Sequence, residues 1–399
     1  MDKPVRGTLR TSEFAKTLNL TDKANWLHVY EQFLLKNASQ ISSIDNSLRS
    51  LTFILPGRYK DVEVMSEAIY SMLQIIGMYH DNILAKAAER LAAYDPDFRA
   101  SAHNRYTRYI MKHNKLYKYI ALLLAITRYT EILWEMAAKN KLGERGRWAL
   151  VFLLESLKTV MRLVLVATSK RPLASPAIFE REVDPQQIET RSQFEEKGFT
   201  GNDDVSETLF DINGNPMPTP PKNWKLPRSG NYIPATIPLK VDEFLSGKVL
   251  TVEDIKSPIE LFHSLTSKGY LSEAVYILRP LIYCALAYKY RNRPRNWTPW
   301  IVGAGMEYLA RKTFVEGYKE NLPGGLRSVT QLEDDELKKR GGSLWWWSLR
   351  GAMYQTVTRP MFERIIRGTE KIPLINLLGS ILEDYEYLLD NYHFASSTL

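Results

Sequence analysis

Proline limits first what this chain can build. Half of its 20 prolines lie between Arg171 and Lys240, including Pro216, Pro218, Pro220 and Pro221, among glycine, asparagine, aspartate and charged residues. Proline lacks the amide N–H and its ring clashes with the preceding helical turn, so such a stretch sustains neither helix nor dense core. A structureless loop of that length does not fit inside one compact domain, and the stretch is expected to join two lobes or run over a surface. The expected organisation is a tail, 1–23, an N-terminal helical part, 24–170, the proline-rich linker, 171–240, a C-terminal helical part, 241–394, and a short tail, 395–399.

On both sides of the linker apolar residues recur at steps of three and four. Trp26, Val29, Tyr30, Phe33 and Leu34 form one such series, and Met65, Ile69, Met72, Leu73 and Ile76 another. Strand patterning is nearly absent, so the expected fold class is all-α. Pro56-Gly57 marks a turn between early helices, and Ser272 and Ser343 are candidate N-caps for the segments 273–290 and 343–368.

Composition narrows the chemistry. Cys284 is the single cysteine, which excludes a disulfide framework or a site built from several thiolates. The formal charge of +8 favours an anionic partner such as phospholipid headgroups, nucleic acid or an acidic protein. Residues 1–20 carry Lys3, Arg6, Arg10, Glu13 and Lys16 without an apolar run, so no secretory signal peptide is expected there.

Three segments carry more. In the first, 105–138, Arg105, Arg108, Lys112 and Lys115 are spaced three, four and three, placing them on one helical face with Lys118 just beyond and Tyr106 and Tyr109 alongside. An interfacial membrane helix needs that combination, since cations meet headgroups while apolar atoms enter the acyl boundary; a surface helix of a basic protein would show it too. The second, 148–168, is nearly long enough to span a bilayer, but Glu155, Lys158 and Arg162 interrupt it on one narrow stripe. It is either a buried bundle helix or a membrane helix whose polar stripe packs on other helices.

The third segment comprises 273–290 and 343–368, where Arg279-Pro280 and Arg359-Pro360 are expected to kink or end their helices. Trp345, Trp346 and Trp347 cannot share one helical face, so at least one is expected to point away from the core, while core packing explains two of the three. Exposed tryptophan, apolar with a single donor, suits a membrane interface or a partner groove.

Catalytic signatures are missing: no phosphate-cradling glycine loop, no H-E-x-x-H and no G-x-S-x-G occurs. The six histidines show no tight ligand spacing, and the pair His80-Asp81 is more often structural than catalytic. No enzyme activity, cofactor, metal or small-molecule substrate is expected. Tyrosines among the basic residues 105–118 could stack bases, but no nucleic-acid-binding pattern accompanies them.

Four ordered blocks then resemble the peroxin-16 family. The first comprises Leu55, Pro56, Gly57, Arg58 and Tyr59, then Tyr70 within Glu67 to Ser71, then His80, Asp81 and Asn82. The second is Gly143 to Trp148, with Gly146, Arg147 and Trp148. The third joins Tyr276 to Leu281, with Arg279 and Pro280, to Trp297 and Trp300. The fourth is Leu344 to Leu349 with Arg359 to Arg364. The resemblance implies an all-α, multi-helix, membrane-associated bundle acting as a biogenesis factor. Its implied place is the peroxisomal membrane, reached through the endoplasmic reticulum membrane, where it helps recruit and insert other membrane proteins. Its implied partners are peroxin-3 and, through it, peroxin-19, together with the phospholipid membrane. Control of peroxisome division from a peripheral position, and a soluble helical interaction protein, are the alternative roles.

Overall fold

The computed structural model describes residues 23–54, 62–91, 100–182, 185, 224–225, 232–233, 256–293, 295–321, 328–369 and 386–396. Among these the chain is all-helical, apart from a two-residue antiparallel pairing of β1, Trp224–Lys225, with β2, Tyr232–Ile233. The helices are α1 (Lys23–Lys36), α2 (Ala38–Ile54), α3 (Val62–Leu91), α4 (Ala102–His113), α5 (Lys115–Ser169), α6 (Ser267–Lys289), α7 (Thr298–Asn321), α8 (Gln331–Gly342) and α9 (Arg359–Thr369). Two compact units divide the chain. The smaller comprises Met1–Ser42, Ile83–Arg99 and Val183–Thr251, and its described core is Leu34, Ala38, Ile83, Leu84 and Ala88. The larger comprises Ser43–Asn82, Ala100–Glu182 and Val252–Leu399, and carries every site discussed below.

Within the larger unit, α4 starts because the Ser101 hydroxyl accepts from the Asn104 N–H at 3.2 Å. It ends at Asn114, whose extended backbone breaks the helix and whose side-chain oxygen accepts from the Tyr117 N–H at 3.1 Å, capping α5. The 105–138 segment is therefore two helices rather than one. Arg105, Arg108 and Lys112 ride on α4, Lys115 and Lys118 on the first turn of α5, and the basic stripe is split at the cap.

Helix α5 is 55 residues long and bends at Gly143, where φ is 68° and ψ −170°. Nothing lies where a Cβ would stand, so the backbone conformation itself demands glycine. The helix closes at Lys170 in the left-handed conformation, φ 54°, a common C-terminal stop.

Residues from both sides of the proline-rich stretch share one core. Tyr106, Leu165, Leu261, Phe262 and Ile277 meet there, with the Tyr106 and Phe262 rings edge to face at 4.6 Å. Leu173, Ala174, Ala177 and Ile178, at the start of the expected linker, also belong to this core. Their backbone is irregular, but short apolar side chains on an extended segment can still fill the gaps between helices.

Helix α6 packs against both α5 and α7. It begins at Thr266, not at Ser272; the Ser272 hydroxyl is buried inside the helix and donates to the Ala310 carbonyl at 2.6 Å. Pro280 lies inside α6 without ending it. Arg359-Pro360 does not end its helix either: helical backbone runs from Gly351 through a π-helical turn, Tyr354–Thr358, into α9, so the proline directly follows a π turn in the helical ladder. The 343–368 segment is still not one helix, since Ser343 opens a 3-10 turn, Ser343–Leu349.

Candidate functional site

The second half of α5 is built with its polarity reversed. Ala149, Phe152, Leu153, Leu157, Val160 and Leu163 recur at helical steps along one exposed face. Glu155, Lys158 and Arg162 lie on the opposite, buried face, with Lys158 at 0% exposure. A water-soluble helix does the opposite, because an unpaired interior charge costs several kcal/mol and apolar area left in water forfeits about 25 cal/mol per Å².

Pairing makes the interior charge tolerable. The Lys158 ammonium donates to Glu131 Oε2 at 2.7 Å and to Glu155 Oε1 at 2.9 Å, and lies 4.6 Å from the centre of the Phe394 ring. One turn away, Glu135 accepts from the backbone N–H groups of His393 and Phe394 at 2.8 and 3.0 Å and faces Arg147 at 3.7 Å. Burial pushes the Glu131 and Glu135 carboxyls up, with Lys158 opposing it at Glu131 and the two N–H donors at Glu135. Burial also holds His393 down to about 3, so its ring is neutral at physiological pH.

A second set lies across α6, α7 and α8. The Arg279 guanidinium donates to Glu307, which also accepts from the Trp347 indole N–H at 2.7 Å. Arg340 donates to both oxygens of Glu273 at 2.8 and 3.2 Å, with its guanidinium over the Tyr276 ring at 4.5 Å. Gly303 gives the Trp347 ring its place, since a Cβ there would overlap the indole.

The residues singled out from sequence are distributed unevenly. Lys112, Lys115 and Lys118 are exposed, and Arg108 is half-buried. Arg105 donates to the Lys256 carbonyl at 2.9 Å, which holds its guanidinium against the protein. Tyr106 is 1% exposed: it is a core residue and offers no surface to lipid. Tyr109 stacks on His113 at 4.1 Å. Trp345 is 75% exposed and Trp346 is also exposed, whereas only Trp347 is buried, so the core takes one tryptophan of the three rather than two.

Among the family-motif residues, Arg147, Arg279 and Pro280 are buried. Trp148 packs near Tyr288 and His393, each at 5.9 Å, while Gly146 stands where a Cβ would strike the Leu142 side chain. Trp297 and Trp300 meet edge to face at 5.5 Å, and the Trp300 indole N–H donates to the Trp347 carbonyl at 2.9 Å. Leu55, Gly57 and Arg58 lie outside the described residues. The sequence reading missed Glu131, Glu135, Glu273 and Glu307. A signal for the first pair existed: Glu131 and Glu135 sit four apart in an otherwise apolar run, the spacing of one helical face.

Tyr70 and Asp81 border a cavity of about 770 Å³, together with Glu67, Arg128, Arg162 and Phe394. Asp81 faces Arg181 at 3.6 Å. Burial pushes the Glu67 carboxyl up to about 7. The folded protein holds this proton more tightly than the unfolded chain. Its contribution therefore weakens the fold as pH rises from about 4.5 to about 7, by about 3 kcal/mol in all. Glu67→Gln is expected to flatten that part of the pH–stability profile. Denaturant midpoints between about pH 5 and pH 7.5 measure it, and a slope identical to that of the unsubstituted protein would show that the carboxyl is hydrated.

Comparison with known proteins is consistent over most of the chain. The family model described as "Peroxisomal membrane protein (Pex16)" matches residues 28–391. "Peroxisome biogenesis protein 16" of Arabidopsis thaliana is 23% identical over 391 residues, covering 93% of this chain and 100% of the relative. "Peroxisomal membrane protein PEX16" of Schizosaccharomyces pombe is 21% identical over 381 residues, covering 92% of this chain and 97% of the relative. No solved structure matches the chain.

Proposed function

Because this chain belongs to the Pex16 family of peroxisomal membrane proteins, we propose that it is a membrane-attached scaffold that helps recruit and insert other peroxisomal membrane proteins. One observation carries the attachment: the outer face of α5 is apolar while its charges are paired inside. A bilayer is the solvent in which that arrangement gains rather than loses free energy. Exposed Trp345 and Trp346, and the exposed lysines Lys112, Lys115 and Lys118, are suited to the headgroup level, where indole and ammonium groups are favoured.

Attachment in the plane of one leaflet accounts for α5 better than a span. Among the described residues α6 is the one helix long and apolar enough to cross a membrane, and a core helix passes the same test. In this reading the helical platform receives peroxin-3 and, through it, the shuttling chaperone peroxin-19, and the protein reaches the peroxisome by way of the endoplasmic reticulum membrane. It acts by holding partners, not by catalysis.

The test is genetic. Deleting the gene in its own host is expected to strand a peroxisomal membrane-protein marker away from peroxisomes or to abolish them. Re-expression of the full chain should restore the marker, and the triple variant Leu153→Glu, Leu157→Glu, Val160→Glu should not, because it places three carboxylates on the lipid-facing side. Persisting peroxisomes of altered number or size would favour control of division. An unchanged population after deletion would defeat the scaffold reading.

A further inference from the structure

Arg162 is 3% exposed and lines the cavity bounded by Tyr70, Asp81 and Phe394. Among the described residues its Nη1 has no hydrogen-bond partner. A buried donor left unmade costs about 1–3 kcal/mol, and more when the group is charged. The nearby carboxylates do not relieve it. Glu131 and Glu155 act on Arg162 through space and raise its proton affinity against the burial that lowers it, but their hydrogen bonds, at 2.7 and 2.9 Å, come from the Lys158 ammonium, and Glu155 Oε2 has no partner of its own among the described residues. Arg128, exposed at the cavity wall, adds a second guanidinium.

The charge balance at this end of the cavity is specific. Arg128, Lys158 and Arg162 face Glu131 and Glu155, which leaves one positive charge over. A monoanion neutralises that surplus, whereas a dianion would meet uncompensated repulsion from two carboxylates at short range. One part of the remaining wall is apolar, with Leu124, Ile132 and Ile178, and another is polar, with Arg49, Asp81 and Arg181. At about 770 Å³ the volume is within the range of sites that enclose a small organic ligand.

We propose that this cavity binds a single amphiphilic monocarboxylate, its headgroup on the Arg162 guanidinium and its hydrocarbon chain along the apolar wall. A guanidinium presents its N–H groups as a fork that matches a carboxylate's two oxygens, so one ligand would supply the acceptor Nη1 lacks. Such a ligand sits inside the protein, so the site stands apart from the attachment of the outer surface to a bilayer. One can fail without the other.

The experiment uses the full chain held in amphipol without free detergent and titrated calorimetrically with decanoate below its micellar concentration. Saturable binding of one decanoate per chain is expected. Decanol, which keeps the chain but not the charge, and acetate, which keeps the charge but not the chain, should each bind at least about tenfold more weakly, a difference of about 1.4 kcal/mol. Arg162→Met, which replaces the guanidinium by an apolar side chain, should weaken decanoate about tenfold or more. Arg128→Gln, at an exposed position where folding is not at stake, should weaken it about threefold. Absent saturation, or unchanged affinity in both variants, would overturn the site. Acetate binding as tightly as decanoate would overturn the amphiphile, and decyl phosphate binding more tightly than decanoate would overturn the monoanion.

Discussion

Lys158→Met is expected to destabilise the larger unit by about 3–5 kcal/mol, among the largest single losses available to this chain. Lys158 has no exposed surface, and its ammonium is the shared partner of Glu131 and Glu155. Methionine fills much of the same volume, so the loss arises from charge and not from a cavity. Two carboxylates are left facing each other with almost no exposed surface, Glu131 at the cavity wall and Glu155 behind it, and folding favours the uptake of a proton by at least one of them. The deficit should accordingly shrink at about pH 5, where protonation is cheaper. Adding Glu131→Gln and Glu155→Gln to Lys158→Met should recover most of it, since an interior without charges often equals one with paired charges. Urea midpoints of the single and triple variants at two pH values decide the matter; a Lys158→Met variant that melts with the unsubstituted protein would show that water enters the site.

Glu307→Ala is expected to cost about as much, because it strands two donors at once. Arg279 Nη1 and the Trp347 indole both donate to Glu307, while Nε and Nη2 of Arg279 have no hydrogen-bond partner among the described residues. Glu307→Gln keeps an acceptor but discards the charge and should cost about half as much. Trp347→Phe removes only the indole N–H and should cost about 1 kcal/mol, the net worth of an ordinary hydrogen bond. Near-ultraviolet circular dichroism follows the same change locally, since the Trp347 ring packs edge-on against Tyr283 at 5.5 Å and Trp300 at 6.4 Å. An unaltered spectrum in Glu307→Ala would mean that the carboxylate does not position the ring.

Helices were legible in the sequence because apolar periodicity is a local signal, and the stripe of Glu155, Lys158 and Arg162 was legible for the same reason. The sequence left open whether the helix is buried in a bundle or set in a membrane with that stripe packed on other helices. A helical wheel shows that charged and apolar residues occupy opposite faces, but it does not say which face has neighbours. The partner Glu131 lies 27 residues before Lys158 and Glu307 lies 28 after Arg279, distances over which periodicity carries no information. Asn114 was overlooked because the basic residues run through it at helical spacing; its capping role depends on backbone angles that spacing does not encode. The cavity and Arg162's unmade hydrogen bond follow from packing that joins 173–181 to α5 and α8, and no single segment announces it.

The reversed polarity of α5 also bears on the protein's own history before it reaches a membrane. A folded chain that presents Phe152, Leu153 and Val160 to water carries the kind of surface by which proteins stick to one another. Folding does not hide these side chains, so completing the fold does not end the hazard. On the proposed reading lipid covers this face, and until it does the same side chains favour association with other proteins.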